Sequence, residues 1–372
     1  MPSAKRFSSK QWGEPVGYAK RLKEWDDKGD CGKPEMESPA EEVERQVEEL
    51  AALVRAAPIV VVHTGAGIST AAGIPDFRGR DGIWTKEEAG HPPPDYESCW
   101  NNAVPTVAHM ALAGLVKEGT VRGVISQNVD GLHLRSGVPR DKLCELHGNM
   151  FMEYCETCER EELRTFDVGG VGCRPTGRYC RWCSSRSSAG MRKMPTMRDC
   201  LLDWNDPLRD LDKADEYTEA CEVPGGLALC LGTSMQMEPA RSLPCQASKM
   251  VIVNLQETPR DDKACLKIRA KVDRVMVGLC ARLGVPIPRF RREETVVLSH
   301  ETKRPPKSKG HVHSRARRWT LSVGGVGAVP CGFLAAVEVS FPGKDWPGET
   351  LTKQPFSLTR VTTTEACGAA DA

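Results

Sequence analysis

The feature that most constrains the fold is the stretch 59–84, which reads IVVVHTGAGISTAAGIPDFRGRDGIW. Residues 59–62 are four consecutive apolar residues rich in β-branched side chains, a run typical of a strand buried on both faces of a parallel sheet. Gly65-Ala66-Gly67 follows, and the small residues 68–73 predict the start of a helix. Such a strand, glycine turn and helix start present free backbone N–H groups to a pyrophosphate. A lone GAG also fits a tight turn without a ligand.

Three further apolar runs end in polar residues. Residues 121–126 lead into Gln127-Asn128-Val129-Asp130, residues 227–231 into Gly232-Thr233-Ser234, and residues 250–253 into Asn254-Leu255-Gln256. Polar side chains at the carboxyl ends of parallel strands fall in the crevice where open α/β sheets bind ligands. The four runs therefore predict one dinucleotide-sized site on one sheet.

Helix signals separate these runs. Ser38 is a predicted N-cap, Pro39 the first helical residue and Glu41 the partner in a capping box, ahead of an apolar stripe that ends at Pro58. Residues 106–118 and 273–282 read as further helices, and Gly284 ends the last one. The acidic residue that dehydrogenases carry about 20 positions after the glycines would fall in 85–88, where no apolar strand precedes it. This disfavours a dehydrogenase.

Two cysteine pairs predict a metal site. Cys155-x-x-Cys158 and Cys180-x-x-Cys183 have the spacing of a tetrahedral Cys₄ zinc site, which is closed to water and therefore structural. Cys183 is taken as the fourth ligand, and Cys173 and Cys200 are the competitors. Residues 148–199 lack the mass for a core of their own, so the metal is expected to hold this module together.

Composition gives the chain no strong bias. The formal net charge is +1, so any nucleic-acid surface has to be local. The 16 cysteines are unevenly spaced, no apolar region of a signal peptide stands near the start, and no window approaches 18 apolar residues. We therefore expect a soluble protein without membrane contact, in a reducing compartment where paired cysteines bind metal rather than form disulfides.

The motifs GAGIST, GIPDFRG, QNVDGLH and ELHGN together resemble the sirtuins, most closely the class IV branch, over roughly residues 18–288. This resemblance implies an NAD-dependent protein-lysine deacylase of the nucleus. It implies His147 as catalytic base, assisted by Asn128 and Asp130. The implied NAD-binding residues are Gly65, Ala66, Gly67, Ser69, Thr70, Asp76, Phe77, Arg78, Trp84, Gln127, Asn128, Asp130, Gly232, Thr233, Ser234, Asn254, Gln256 and Val272.

The resemblance also implies the mechanism. An acyl-lysine of a histone tail enters as an extended strand near Asp203 and Trp204, and its acyl oxygen attacks NAD⁺ as nicotinamide leaves. His147 then deprotonates a ribose hydroxyl, and the products are lysine, nicotinamide and acyl-ADP-ribose. Two alternatives remain open: a mono-ADP-ribosyltransferase acting on protein, and a catalytically idle chromatin scaffold.

The predicted architecture is α/β, a Rossmann-like parallel sheet domain (38–147 and 200–285) with an inserted zinc module (148–199). An N-terminal arm (1–37) and a basic C-terminal extension (286–372) flank it. Alternating apolar and polar residues in the extension predict strands at 319–323 and 334–341. It is either a solvated linker or a nuclear-import or DNA- and nucleosome-binding patch. The basic residues crowd its stretch 289–318 and are Arg289, Arg291, Arg292, Lys303, Arg304, Lys307, Lys309, Arg315, Arg317 and Arg318.

Overall fold

A computed structural model describes residues 22–23, 27–91, 100, 102–183, 185–186, 192–292, 296–303, 317–325, 334, 336–340, 348–353 and 356–362. The chain divides into two compact units, Met1–Phe290 and Arg291–Ala372. Most of the predicted arm and the basic residues Arg304, Lys307, Lys309 and Arg315 lie outside the described residues.

A six-stranded parallel sheet organises the first unit. Its order is β12-β11-β10-β1-β2-β3, and every neighbouring pair is parallel. The strands are β1 (Val60–Thr64), β2 (Gly123–Ser126), β3 (Leu143–Glu145), β10 (Leu227–Leu231), β11 (Lys249–Val253) and β12 (Leu266–Ile268). The four predicted apolar runs are β1, β2, β10 and β11, so the predicted α/β fold class is confirmed. The three-residue strands β3 and β12 were not predicted.

Helices pack on the sheet because their apolar stripes match it. The helices are α1 (Ala40–Ala56), α2 (Ile83–Glu88), α3 (Val107–Lys117), α4 (Leu132–Arg135), α5 (Leu211–Ala220) and α6 (Val272–Leu283). Helices α1, α3 and α6 bury their apolar residues in one cluster with β1, β2, β10 and β11. Helix α6 ends as predicted, with Gly284 in the left-handed conformation at φ 70°.

Two local predictions are wrong. Ser38 does not cap α1: the helix begins at Ala40 with Pro39 at the N-cap position and no side-chain cap, so the capping box with Glu41 is not formed. Ser38 lies one residue too early, and its backbone N–H donates to the Arg269 carbonyl instead. The helix predicted over 68–73 is replaced by two 3₁₀ turns, Ala66–Ile68 and Thr70–Ala72, because Gly73 at φ 81° ends the second one.

The cysteine-containing segment forms a four-stranded antiparallel sheet, of order β5-β4-β9-β6. Its strands are β4 (Gly148–Cys155), β5 (Glu161–Leu163), β6 (Pro175–Tyr179) and β9 (Thr196–Leu201). Two short strands, β7 (Ser185–Arg186) and β8 (Arg192–Lys193), pair separately. Strand β4 is buried along most of its length, a regularity that its mixed sequence GNMFMEYC hides.

An ionic clasp, formed by Arg140, Glu161, Arg209 and Asp210, ties this segment to the parallel sheet. Glu161 on β5 accepts hydrogen bonds from Arg140 and Arg209. Arg140 also pairs with Asp210 at 2.9 Å, and Asp210 accepts the backbone N–H of Glu145 at 3.0 Å. All four side chains of the clasp are less than one-third exposed, so solvent screens these pairs less than ordinary surface pairs.

The second unit contains two small antiparallel sheets. One has the order β13-β14-β17, and β15 and β16 pair separately. The strands are β13 (Val296–Lys303), β14 (Arg317–Gly325), β15 (Val337–Val339), β16 (Glu349–Leu351) and β17 (Phe356–Thr362). The two predicted strands are β14 and β15, whereas β13, β16 and β17 were not predicted. The stretch 289–318 is therefore not a linker throughout, since β13 and the start of β14 belong to it.

None of the helices in the described part of the chain has the length and apolar character needed to span a bilayer.

Candidate active site

A cavity lies at the carboxyl ends of β1, β2, β10 and β11, where the sequence predicts it. It brings together His147 and all but two of the predicted NAD-binding residues. Its walls are formed by Leu22, Gly65, Ala66, Gly67, Ser69, Ile74, Pro75, Asp76, Phe77, Arg78, Gly79, Trp84, Trp100, Gln127, Asn128, Val129, Asp130, His147, Trp204, Gly232, Thr233, Ser234, Met237, Asn254 and Gln256. The parallel sheet thus gathers side chains from four separate stretches of sequence.

The two exceptions are Thr70 and Val272. Thr70 is exposed, and its hydroxyl donates to the Gly67 carbonyl at 3.2 Å. Val272 is the first residue of α6, and its side chain is buried in the main hydrophobic cluster. Neither side chain lines the cavity, so nothing in the geometry supports a role for them in cofactor binding.

Glycine is needed in the glycine loop, residues 65–67, because the backbone of Gly232 packs closely against it. A Cβ atom on Gly67 would lie 2.9 Å from the Gly232 Cα and carbonyl oxygen, and one on Gly65 would lie 2.8 Å from the same oxygen. Gly232 itself has φ 57°, and its own Cβ would lie 2.7 Å from the Gly67 carbonyl carbon. The turns after β1 and β10 therefore touch through backbone atoms alone.

Asn128 and Asp130 are fixed against this loop. The Asn128 Nδ2 donates to the Gly65 carbonyl at 3.0 Å and lies 3.3 Å from the Ser69 hydroxyl. The Ser69 hydroxyl donates to Asp130 Oδ2 at 2.6 Å, and Asp130 Oδ1 accepts the backbone N–H of Leu132 at 2.8 Å. Both Asp130 and Ser69 are buried. Their positions are thus set before any ligand arrives.

His147 has a defined tautomer. Its Nδ1 lies 2.9 Å from the Gln127 carbonyl oxygen, which can only accept, so Nδ1 carries the hydrogen and Nε2 is left with a free lone pair. Burial lowers the pKa of His147 below its usual 6.5, the hydrogen bond to Gln127 raises it, and the positive charge of Arg78 lowers it further. The net direction is downward. A neutral imidazole with an open Nε2 is the form that a general base needs.

Arg78 contributes a buried guanidinium with one nitrogen left over for a ligand. Its side chain is 8% exposed, its Nε donates to the Lys28 carbonyl at 2.6 Å, and its guanidinium lies 4.5 Å from the centre of the Trp84 ring. Its Nη2 is buried and has no hydrogen-bond partner among the described residues. Because a buried unpaired donor is costly, this atom points to a ligand with an anionic oxygen. The residues present therefore fit a phosphate-bearing group such as NAD.

Several cavity residues were not predicted as NAD-binding. They are mostly apolar and come from distant positions: Leu22, Ile74, Pro75, Gly79, Trp100, Val129, Trp204 and Met237. Ile74, Trp100 and Val129 belong to one buried cluster with Phe151 and Leu201. Single apolar residues in loops carry no sequence signal for a cavity, whereas Ile74 and Pro75 do stand inside the GIPDFRG motif and could have been included.

A second cavity adjoins the first and shares Leu22, His147, Trp204 and Met237 with it. Asp203, which the sequence predicts on the acyl-lysine path, lines this groove together with Asp27, Asp206, Glu238 and Arg241. The Trp204 Nε1 donates to the Lys23 carbonyl at 2.9 Å. His147 is therefore accessible from two sides, from the cavity and from a groove lined by carboxylates.

The four predicted zinc ligands meet in one cluster. Their Sγ atoms all lie within 4.8 Å of one another, with Cys155–Cys183 at 3.5 Å, Cys180–Cys183 at 3.6 Å and Cys158–Cys180 at 3.8 Å. Four sulfurs at Zn–S distances of about 2.3 Å around one ion would be about 3.8 Å apart. The backbone N–H groups of Thr157 and Trp182 point at Sγ of Cys155 and Cys180, as suits thiolates. The set fits a structural zinc ion, and Cys173 and Cys200 are outside it.

Comparison with known proteins decides the family. The model of the Sir2 family matches residues 65–97 and 91–239. The chain is 42% identical to the NAD-dependent protein deacetylase SRT1 of Oryza sativa subsp. indica, and the match covers 93% of this chain and 70% of that protein. The chain belongs to the Sir2 family. This sirtuin is also 42% identical to Sirt6 of Drosophila melanogaster (73% of this chain, 86% of that protein) and 39% identical to sirtuin-7 of Bos taurus (75% and 69%). These matches fit the predicted class IV branch.

The extent of the matches differs between the relatives. The match to the rice protein covers 93% of this sirtuin, a share that the first unit, Met1–Phe290, is too short to supply alone. The matches to the fly and cattle proteins cover 73% and 75%. The second unit therefore has at least part of its sequence in common with the plant relative.

The cysteine cluster gives a direct prediction. Replacing Cys183 by serine should remove zinc and destabilise the four-stranded sheet, because Met197 and the four cysteines form the buried cluster at this end of it. The measurement is zinc content by mass spectrometry together with thermal unfolding. Cys173→Ser is the matched control, since Cys173 is partly buried and outside the cluster. A full equivalent of zinc in the Cys183→Ser protein would contradict the ligand assignment.

Proposed function

We propose that this sirtuin is an NAD-dependent protein-lysine deacetylase, with histone tails as its substrates and the nucleus as its compartment. The observation that carries the proposal is the position of His147. It lines both the cavity that contains the unpaired Nη2 of Arg78 and the adjoining groove, and its Nε2 is free to accept a proton. A relative that is 42% identical over the matched residues is named as an NAD-dependent protein deacetylase. No described feature favours ADP-ribosyl transfer or an idle scaffold over this reading.

The groove supports a basic peptide as substrate. Four carboxylates, from Asp27, Asp203, Asp206 and Glu238, and one guanidinium, from Arg241, line it. Lys23 pairs with Asp203 and Arg241 with Glu238, and the formal charges of these six groups still sum to −2. Electrostatic complementarity of this kind selects partners and speeds their encounter. Lysine- and arginine-rich histone tails have the matching charge.

Each residue has a proposed task in the reaction. Bound NAD⁺ would supply the electrophilic carbon that the acyl oxygen attacks. Arg78 would hold a phosphate through its free Nη2, and Asn128 and Asp130 would orient the nicotinamide end against the glycine loop. His147 would accept at Nε2 a proton from a hydroxyl, while its Nδ1–H stays on the Gln127 carbonyl. Phe77 and Trp84, whose rings are 4.8 Å apart, would exclude water from one wall.

The test of this function is nicotinamide release. The full chain is incubated with NAD⁺ and an acetylated histone peptide, and both nicotinamide and the peptide mass are followed. If the protein is a deacetylase, the peptide loses the mass of one acetyl group, and one nicotinamide is released for each peptide deacetylated. A peptide or protein that gains the mass of ADP-ribose would indicate a transferase instead, and no nicotinamide at all would overturn enzymatic function. The same assay with a peptide that has acidic residues on both sides of the acetyl-lysine tests the groove, because its carboxylates should make turnover of this peptide slower.

The proposed base makes a prediction about pH. Because burial lowers the pKa of His147, its imidazole stays neutral, and therefore active, at pH values where an ordinary histidine is already protonated. The acid limb of kcat/KM should have its midpoint below pH 6.5, with activity falling as pH drops through it. Short assays with zinc content checked at each pH separate this limb from loss of the metal. A midpoint above pH 6.5 would contradict the role given to His147.

We also propose that residues 38–147 and 200–285 are the NAD-binding domain and that residues 148–199 are the zinc module.

The basic stretch 289–318 is proposed to contact DNA or nucleosomes. Truncation after Pro288 should leave peptide deacetylation intact and remove a DNA-binding activity whose affinity falls as the salt concentration is raised. Gel-shift titration at two salt concentrations and peptide turnover are the measurements. A truncated protein that loses turnover would assign the second unit to the catalytic part.

A further inference from the structure

His147 stands at the middle of a turn, residues 145–149, whose two ends belong to different sheets. Glu145 is the last residue of β3 in the parallel sheet, and Asn149 is the second residue of β4 in the antiparallel sheet of the cysteine segment. In the described part of the chain β3 and β4 share no sheet, so no ladder of backbone hydrogen bonds joins the two ends. The shape of the turn therefore depends on the contacts of its own residues.

A side-chain hydrogen bond closes this turn. The Asn149 Nδ2 donates to Glu145 Oε1 at 2.7 Å. The orientation of the amide is set by a second bond, because the backbone N–H of Phe151, which can only donate, lies 2.8 Å from Asn149 Oδ1. The residues on either side of His147 are thus joined directly, and we call this contact the Glu145–Asn149 link.

Both partners of the link are buried, with Glu145 4% and Asn149 1% exposed. Neither side chain lines the cavity or the groove, so contact with a substrate does not account for two buried polar groups at this place. Burial raises the pKa of Glu145 to about 8, so the carboxyl is mostly protonated at neutral pH. Its carbonyl oxygen still accepts from Asn149, and the bond offsets the cost of burying both groups.

The backbone of the turn is anchored separately on each side. On the β3 side the Leu146 N–H donates to the Ser126 carbonyl at 3.0 Å, and on the β4 side the Leu202 N–H donates to the His147 carbonyl at 3.2 Å. Each of these bonds holds the turn to its own sheet. The Glu145–Asn149 link is the contact that sets the distance between the two ends.

We propose that Glu145 and Asn149 are positioning residues for the proposed base, because their link holds the turn so that His147 keeps its Nδ1–H on the Gln127 carbonyl. A shift of about 1 Å in the turn would break this bond, now 2.9 Å long, and would let the ring populate both neutral tautomers. Glu145 and Asn149 touch no substrate and act through His147. The effect on turnover rests on the proposed function, whereas the effect on the tautomer does not.

Glu145→Ala in the full chain tests the link by kinetics. The kcat for an acetylated histone peptide should fall about ten- to a hundredfold, the effect of a displaced catalytic group. NAD⁺ affinity, measured by calorimetry, should stay within a factor of about two. Glu145→Gln should restore most of the turnover, because its amide oxygen can accept from Asn149. The double variant of Glu145→Ala and Asn149→Ala should be little worse than Asn149→Ala, because both changes remove the same link.

Nitrogen-15 NMR of the histidine side chains gives a measurement that needs no turnover. The spectrum of His147→Asn identifies the signals of His147. At neutral pH the wild type and Glu145→Gln should show His147 as the Nδ1–H tautomer alone, and Glu145→Ala should show both neutral tautomers. If the wild type releases no nicotinamide, the proposed function fails and these spectra alone decide the role of the link.

Thr218→Ala is the control for the loss of a buried hydrogen bond. Thr218 on α5 is 3% exposed, its hydroxyl donates to the Ala214 carbonyl at 2.8 Å, and it lines neither the cavity nor the groove. This variant should lower thermal stability and leave kcat within a factor of about two.

Four results would each overturn the positioning role. They are an equal loss of kcat in Thr218→Ala, a normal kcat in Glu145→Ala, a Glu145→Gln protein no more active than Glu145→Ala, and an unchanged His147 spectrum in Glu145→Ala. If Glu145→Ala fails to fold, Glu145→Leu takes its place in every comparison, because leucine fills the volume and offers no acceptor.

Discussion

Replacement of His147 by tyrosine is expected to lower the deacetylation rate by about a hundred- to ten-thousandfold, the usual effect of losing a general base. NAD⁺ affinity should change far less, because the atoms that hold the glycine loop, Asn128 and Asp130 do not include the imidazole. The paired measurement is NAD⁺ affinity by calorimetry and turnover of one acetylated histone peptide. Asp130→Ala should differ by weakening both, since Asp130 fixes Ser69.

His147→Asn is the matched control for this experiment. An asparagine amide can still donate to the Gln127 carbonyl from about the position of Nδ1, while nothing replaces Nε2. It should therefore lose as much turnover as the tyrosine variant, with the local structure kept. Near-normal turnover in either variant would contradict the mechanism, even with the fold intact.

The second large effect is expected at Gly232. Alanine there keeps a left-handed residue at φ 57° and places its Cβ 2.7 Å from the Gly67 carbonyl carbon and the Ile68 nitrogen. Because the obstacle is backbone, the two turns have to separate. We expect a loss of about 2–5 kcal/mol in the free energy of unfolding, about 1–2 from the left-handed conformation and about 1–3 from overpacking, together with a marked loss of NAD⁺ affinity.

Gly73→Ala separates the two contributions. Gly73 has φ 81°, and a Cβ on it would meet nothing within 4 Å. Its substitution should cost only the conformational part, about 1–2 kcal/mol, and leave NAD⁺ affinity unchanged. Urea unfolding of both variants and calorimetry with NAD⁺ make the comparison. Equal costs at the two positions would show that the contact between the turns contributes nothing.

The elements that could be predicted are those in which burial or metal binding imposes a clear pattern on neighbouring residues. The strands β1, β10 and β11 are buried along almost their whole length, so each appears in the sequence as a run of four or five apolar residues. Strand β2 is buried as well, although Arg122 and Gly123 interrupt the apolar residues of 121–126. Strands β3 and β12 have three residues each, too few for any pattern, and were missed. The cysteine pairs were found because a metal imposes both residue type and spacing.

The parts that could not be predicted depend on distant segments meeting. Leu22, Trp100 and Met237 line the cavity because the tertiary fold brings three separate segments of the chain together, and no local rule connects them. The free Nη2 of Arg78 is likewise visible only once its neighbours are known. The failed helix over 68–73 has a different cause: small residues permit a helix, whereas packing of Gly67 against Gly232 and the turn at Gly73 require otherwise.

The ionic clasp gives this enzyme a vulnerability at a distance from its substrates. Glu161 belongs to the sheet that the cysteines close, and Asp210 holds the backbone of Glu145, two residues before His147. Thiol-reactive electrophiles that attack the cysteines should therefore displace Glu161 and break its ion pairs with Arg140 and Arg209. The position of His147 should change as a result. Such compounds would inhibit without competing with NAD⁺ or peptide, and added zinc given early enough would protect.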